Sequence, residues 1–275
     1  MSLQIHTPSP ALRPSVTMMW YWKGYHPPHT HERILPFGSM ELTFNLTDES
    51  MCFAYPEKGY RPHSLRGAIV SGVHSRFFVV ETRRPASILS VLFEPGAAHQ
   101  CFGIPAGELH NQHVPLRELW GSEADALYER LMTTSTIDER FSILERHLLE
   151  RLRRAAEPHR AISFALRSLN YGLGTPSIAD VVNQLALSPT RFIQVFQTEV
   201  GLTPKHFCQV QRFQKALRLI ARHPSTSWTE VALAAGYYDQ SHFINEFRRF
   251  AGITPTQFAP QSAEHPGNLP FFELG

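Results

Sequence analysis

The feature that most constrains this chain is a pattern that repeats itself 51 residues apart. Phe192-x3-Phe196-x4-Gly201-x-Thr203-Pro204-x2-Phe207 returns as Phe243-x3-Phe247-x4-Gly252-x-Thr254-Pro255-x2-Phe258, six identities in one frame. Phenylalanines four apart share one face of a helix. A glycine after them suits a left-handed stop, and Thr-Pro suits the cap and first position of a following helix. The chain must therefore build the same helical unit twice. Ahead of each copy lies a short helical stretch, Ser177 to Leu185 and Ser227 to Gly236. Ser177 with Asp180 and Ser227 with Glu230 have the spacing of a capping box. A turn then leads into Ser188-Pro189-Thr190-Arg191-Phe192 or Asp239-Gln240-Ser241-His242-Phe243. Helix, tight turn, helix is the helix-turn-helix arrangement, in which the first helix braces and the second offers its N-terminal residues to the major groove.

Between the two units, Lys205 to Ala221 carries Phe207, Val210, Phe213, Leu217 and Ile220 along one face. Such a helix is a rigid spacer about 26 Å long. That length suits two recognition helices entering successive major-groove turns, about 34 Å apart. Elsewhere in the helical half, breaks are expected at Gly172-Leu173-Gly174-Thr175-Pro176 and His223-Pro224-Ser225.

The stretch from Ser177 to Phe258 resembles the C-terminal domain of the AraC/XylS family of bacterial transcription regulators. VALAAGYYDQSHFINEFRRFAGITPTQF is similar to that family's second unit, including Ala232, Gly236, Ser241, Phe243, Phe247, Gly252 and Pro255; the first unit has Ala186 where a turn glycine is common. The resemblance implies base contacts from Thr190, Arg191 and Gln194 in the first unit and from Gln240, Ser241, His242 and Asn245 in the second. Their chemistry agrees: Gln and Asn read adenine edges, Arg reads guanine, and Ser reads either. Lys205, Arg248 and Arg249 are the expected phosphate contacts. A polar, solvated helix face opposite paired phenylalanines would have a similar composition, so the duplicated framework carries the expectation more than these residues do.

Charge is a weaker guide. The chain has 26 Lys+Arg against 24 Asp+Glu, so any hold on nucleic acid must come from a local patch. From Ser177 to Ser262 eight basic residues face five acids, a net of +3. With 275 residues, 43% hydrophobic and 18% charged, the chain can fill two cores and is too apolar for disorder. Cys52, Cys101 and Cys208 are far apart, in no zinc or disulfide-framework spacing. A reducing compartment fits, and the absence of an apolar run near the ~20 residues of a membrane helix, or of a leader at MSLQIHTPSP, leads to the expectation of a cytoplasmic protein with no membrane partner.

The front half reads as strands. Trp20 and Trp22 alternate with Tyr21 and Lys23, and Glu41 to Leu46 alternates polar with apolar; further runs are Ala68 to Val70, Phe77 to Val80 and Ile88 to Phe93. Many short strands between turns suggest a barrel or sandwich. After Pro95 the pattern turns helical, with a stripe at Phe141, Leu144, Leu148 and Leu152 that either packs on the barrel or forms a dimer contact. Pro158 marks the boundary. ERILPFGSMELTFNL and the segment from Leu65 to Gly121 resemble the cupin-like domain ahead of some AraC-type domains, with Phe37 where an Asp is more usual.

The expected architecture is thus α+β: a cupin-like β-barrel with a helical connector over 1–157, an all-α double helix-turn-helix domain over 158–262, and a tail over 263–275. Trp20, Trp22, Phe44, Phe53 and Phe93 are candidates to line a ligand cavity, although such residues are more often core. His29-Thr30-His31 invites a metal reading, but the neighbouring acids and later histidines have no matching spacing, and no metal is expected. Neither a nucleophile motif nor a glycine-rich phosphate loop is present, so no catalytic residue and no cofactor is assigned. The leading expectation is a sequence-specific transcription regulator rather than an enzyme, with double-stranded DNA, a small-molecule effector, a second copy of the chain and RNA polymerase as partners. The competing readings are a metal-dependent cupin enzyme with a helical appendix and a ligand-free regulator controlled by a protein partner.

Overall fold

Period-two alternation in the front half folds into strands because each run can bury one side and leave the other to a second environment. The computed structural model describes residues 2–169, 176–223, 225–258 and 268–270. In chain order the front half contains β1 (Ser2–His6), β2 (Val16–Tyr25), β3 (His31–Ile34), β4 (Glu41–Asn45), β5 (Met51–Ala54), β6 (His63–Leu65), β7 (Ala68–Ser71), β8 (Phe78–Glu81) and β9 (Ala86–Phe93). Then come α1 (Ala98–Phe102), β10 (His113–Pro115), α2 (Leu116–Trp120), α3 (Ser122–Thr133) and α4 (Ile137–Arg154). The helical half contains α5 (Arg160–Ser168), α6 (Ile178–Asn183), α7 (Pro189–Val200), α8 (Pro204–Arg222), α9 (Trp228–Ala235) and α10 (Gln240–Ala251), and the chain returns as β11 (Asn268–Pro270). The fold is α+β, as the sequence suggests. Among the described residues, no helix is long and apolar enough to cross a membrane.

The strands form two antiparallel sheets, in the orders β1-β2-β9-β4-β7-β10 and β11-β3-β8-β5-β6. The first sheet has two unlike faces. Met19, Tyr21, Leu42, Phe44, Val70, Leu89, Val91 and Phe93 belong to the large core shared with the connector helices. The alternate residues, among them Trp20, Trp22, Glu41, Thr43, Ile69 and Ser90, line a cavity whose opposite wall comes from the second sheet. On the outer side Phe93 packs edge-on against Phe102, and Phe102 stacks on Trp120. Trp120 donates its indole N–H to the Cys101 carbonyl at 3.0 Å, and the Arg151 guanidinium lies over its ring. The Leu144 stripe is spent here: Phe141, Leu144 and Leu148 are buried and Leu152 is half-buried. It is thus packing inside the chain and offers no free face to a second copy.

The expected boundary at Pro158 lies between the end of α4 and the start of α5. The two halves nevertheless share one continuous core. Gln214 of α8 donates to the Pro36 carbonyl at 2.7 Å, and the Phe77 N–H to the Phe250 carbonyl at 3.1 Å. The segment expected as a separate tail differs from that reading where it is described: Asn268–Pro270 adds an edge strand to β3, pairing Leu269 with Arg33. Of the expected break at Gly172 to Pro176, residues 172–175 lie outside the described residues, as do Pro224, residues 259–267 and residues 271–275.

Candidate nucleic-acid interface and barrel cavity

Each helix-turn-helix unit is positioned by local chemistry that the repeat encodes. Ser177 and Ser227 cap α6 and α9, and both capping boxes are formed, with Asp180 and Glu230 accepting from the cap backbone. Those hydrogen bonds hold both exposed carboxyls below the usual range. Ser188 and Asp239 cap the second helices, α7 and α10, accepting from the N–H of Arg191 and His242. Gly201 and Gly252 close α7 and α10 at φ 87° and 70°, the left-handed region that favours glycine. Thr203 then caps α8 with Pro204 at its first position. In the second copy Thr254-Pro255 opens a turn within the described residues, with Gln257 accepting from the Thr254 N–H at 2.9 Å.

The turns of the two units differ. In the second, Gly236 takes φ 93° and caps α9; in the first, α6 ends at Asn183 and Gln184 caps in a right-handed conformation. Ala186 therefore needs no left-handed backbone. The first unit reaches its next cap, Ser188, one residue sooner than the second reaches Asp239.

The buried sides of α7 and α10 carry Phe192, Val195 and Phe196, and Phe243, Phe247 and Phe250. Phe213 of α8 meets Phe247 and Phe250 at ring distances of 5.2 and 5.1 Å. One buried charge pair fixes α10 on α8. The Arg212 guanidinium donates to both oxygens of Glu246, Gln209 adds a bond of 3.0 Å, and Tyr237 lies beneath the guanidinium. Burial and the neighbouring carboxylate push the Tyr237 phenol up.

The opposite faces are open. Thr190, Arg191, Gln194, Ser241 and Asn245 are exposed, Gln240 and His242 half-buried, and Lys205, Arg248 and Arg249 exposed. Gln240 accepts from Thr229 at 2.7 Å, which commits its oxygen to the bracing helix. Arg249 donates to Gln209 at 3.1 Å. Two further groups share this surface. Ile193, 42% exposed, stands 51 residues before Ile244 in the same frame, and Tyr238, 87% exposed, precedes the cap of α10. The repeated isoleucine was visible in the sequence; the exposure of Tyr238 was not.

Inside the front half, the cavity measures about 640 Å³. Trp20, Trp22 and Phe53 line it, whereas Phe44 and Phe93 point to the opposite side of their sheet and are fully buried in the main core. The reason is the polarity of β4. Its polar side, Glu41, Thr43 and Asn45, faces the cavity, and its apolar side packs under the connector helices. Sequence reasoning missed Phe37, Glu41, Phe78 and, from the spacer helix α8, Gln214, all on the wall. The sole cue was the alternation in β4, which does not say which face is solvent. His29 lies 2.8 Å from Glu32, and His31 bonds to Thr30. Among the described residues no three His, Cys, Asp or Glu side chains gather as a metal site.

Residues 181–261 match the family described as helix-turn-helix domain, and residues 4–115 match a domain family described as of unknown function. The C-terminal domain is an AraC-type helix-turn-helix domain. Its relatives include the regulator GadX of Escherichia coli K12, 32% identical over 92 residues, which are 34% of this chain and 33% of that protein. The probable transcriptional regulator LumQ of Photobacterium leiognathi is 30% identical over 82 residues, 30% of this chain and 33% of that one. The chain thus aligns with about a third of the length of these relatives. Among solved structures, ToxT from Vibrio cholerae is similar at a TM-score of 0.47 with 8% identity, over 94% of this chain and 98% of that one.

Proposed function

We propose that this protein is a sequence-specific transcription regulator of the AraC/XylS type, acting on duplex DNA under the control of a small molecule held in the front-half cavity. The observation that carries the reading is the duplicated unit: two helices, α7 and α10, capped alike, buried alike through their phenylalanines, and joined by one rigid helix of 19 residues, about 28 Å. In this reading Thr190, Arg191, Gln194, Ser241, His242 and Asn245 meet base edges, with Gln240 as a partner limited by its bond to Thr229. Lys205, Arg248 and Arg249 meet phosphates. Ile193 adds an apolar contact suited to a thymine methyl.

Control from the cavity is supported by its wall. Gln214 belongs both to that wall and to α8, on which both recognition units are mounted. A ligand that favours one placement of α8 shifts the population of the DNA-competent arrangement. A cytoplasmic setting, a homodimer and contact with RNA polymerase complete the proposal as the resemblance implies them; a dimer must use a surface other than the buried Leu144 stripe. The test is hydroxyl-radical footprinting of the full chain on a site selected from random duplexes. Two protected segments on one DNA face, centred ~10–10.5 bp apart, are expected. A single patch within half a turn would mean that only one unit touches DNA.

A further inference from the structure

The cavity wall combines an apolar, aromatic lining with a marked imbalance of charge. Among the described lining residues, the acids Glu32, Glu41, Glu49 and Glu81 face a single guanidinium, Arg84. Arg84 is spent at the rim: its side chain is 70% exposed and paired with Glu49. His113 lies deep in the cavity, where burial holds its ring well below the usual histidine range, so it brings no positive charge at neutral pH. The amides on the wall are turned to backbone oxygens, Asn45 to the Glu49 carbonyl at 2.8 Å and Gln214 to the Pro36 carbonyl at 2.7 Å.

Glu41 is the group this wall leaves unbalanced. It opens β4 and accepts from the Thr43 hydroxyl at 2.9 Å, while Thr43 in turn meets Ser90 at 3.0 Å. No cation among the described residues is paired with it. Burial pushes its carboxyl up, against the opposing pull of the two hydroxyls. A carboxylate in an apolar enclosure is costly until a positive charge joins it. The same cavity is lined by Trp20, Trp22, Phe37, Phe53 and Phe78, and aromatic ring faces attract a cation. An anionic ligand would find the reverse: among the described lining residues, a single guanidinium already paired with Glu49, and a carboxyl in place.

We propose that this cavity binds an organic cation, a molecule with an apolar or aromatic body and one protonated amine, with Glu41 as its counter-charge. The inference rests on the reading of the cavity as an effector site and specifies the ligand's chemical class. A volume of about 640 Å³ lies within the ~300–1,000 Å³ typical of small-molecule sites.

The test is isothermal titration of the full chain near neutral pH with three probes of one shape: para-butylbenzylamine, para-butylbenzyl alcohol and para-butylbenzoic acid. The amine is expected to bind about ten-fold or more tighter than the alcohol, and the acid weakest. Glu41→Gln is expected to bring the amine down to the level of the alcohol. Alcohol or acid binding as tightly as the amine in the unaltered chain would overturn the cation assignment and leave the effector site standing. Amine preference that survives in Glu41→Gln would overturn the role of Glu41. Failure of all three probes at about millimolar concentration would overturn both the cation assignment and the effector site. The ranking in the unaltered chain decides the ligand class even if the variant folds poorly.

Discussion

Replacing Arg212 by methionine should destabilise the DNA-binding half far more than replacing its partner Glu246 by glutamine, and the asymmetry follows from burial. The Glu246 side chain is 4% exposed and that of Arg212 25%. Without Arg212, the 4%-exposed carboxylate loses three hydrogen bonds and is left with that from Gln209 and with the His242 ring 3.8 Å away. Stranding a buried charge in this way costs about 3–5 kcal/mol. In Glu246→Gln the guanidinium still finds an amide oxygen, remains over the Tyr237 ring at 4.6 Å and has an edge to solvent, so about 1–2 kcal/mol is expected. The double change Arg212→Met with Glu246→Leu should recover most of the loss, because apolar side chains of similar volume often replace a buried pair at no net cost. A chain with two domains need not unfold in one step, so the measurement is native-state hydrogen exchange of the α8 and α10 amides. Equal effects of the single changes, or a double variant as weak as their sum, would refute the assignment of a buried pair fixing α10 on α8.

Gln194→Ala or Asn245→Ala should lose ~1–3 kcal/mol on the preferred site and relax choice at one base pair, whereas Arg248→Ala should weaken all sequences alike; competition binding against random duplex separates the two. Burial holds His74 at about 3 and His113 well below its usual range. The folded state thus refuses protons that the unfolded chain takes up below about pH 6.5. Stability is full above that pH and falls as the pH drops below it, by up to about 1.4 kcal/mol per pH unit for each histidine. Thermal melts between about pH 7.5 and 5.5 should show the decline, and a flat profile would contradict it. Gly252→Ala should loosen the contact between the halves, since its φ is 70° and a Cβ there would lie 2.3 Å from the Phe77 ring. The backbone strain alone is about 1–2 kcal/mol, and pairing the change with Phe77→Leu should restore only the steric part of the lost melting temperature.

The helical half was legible because its determinants are local. Caps at Ser177, Ser188, Thr203, Ser227 and Asp239 act within three residues, and phenylalanines four apart specify a buried face without knowledge of what covers it. Repetition of that short-range code made it readable twice over. The strands around Trp20 and Glu41 were legible for the same reason, as period-two runs, and those around Ala68, Phe78 and Ile88 as short aromatic and β-branched runs between turn residues. Short strands were not: three residues, as in His63–Leu65, are too few to show a period, and the pairing of His113–Pro115 with Ile69–Ser71 is made across the fold.

By itself, then, the sequence determined the duplicated helix-turn-helix framework, the open polar faces of α7 and α10, and the strand character of the front half. Only the tertiary structure decided which side of each strand is the cavity. Alternation specifies that Glu41 and Thr43 share one face and Leu42 and Phe44 the other, yet both faces of this sheet are covered, one by helices and one by a second sheet around an apolar space. That is why Phe44 and Phe93 belong to the core, while Glu41 stands in the cavity with Gln214, a residue 173 positions away brought there by the docking of α8. Periodicity is a property of neighbours in the chain; the environment on either side of a strand is set by elements that arrive from elsewhere in it.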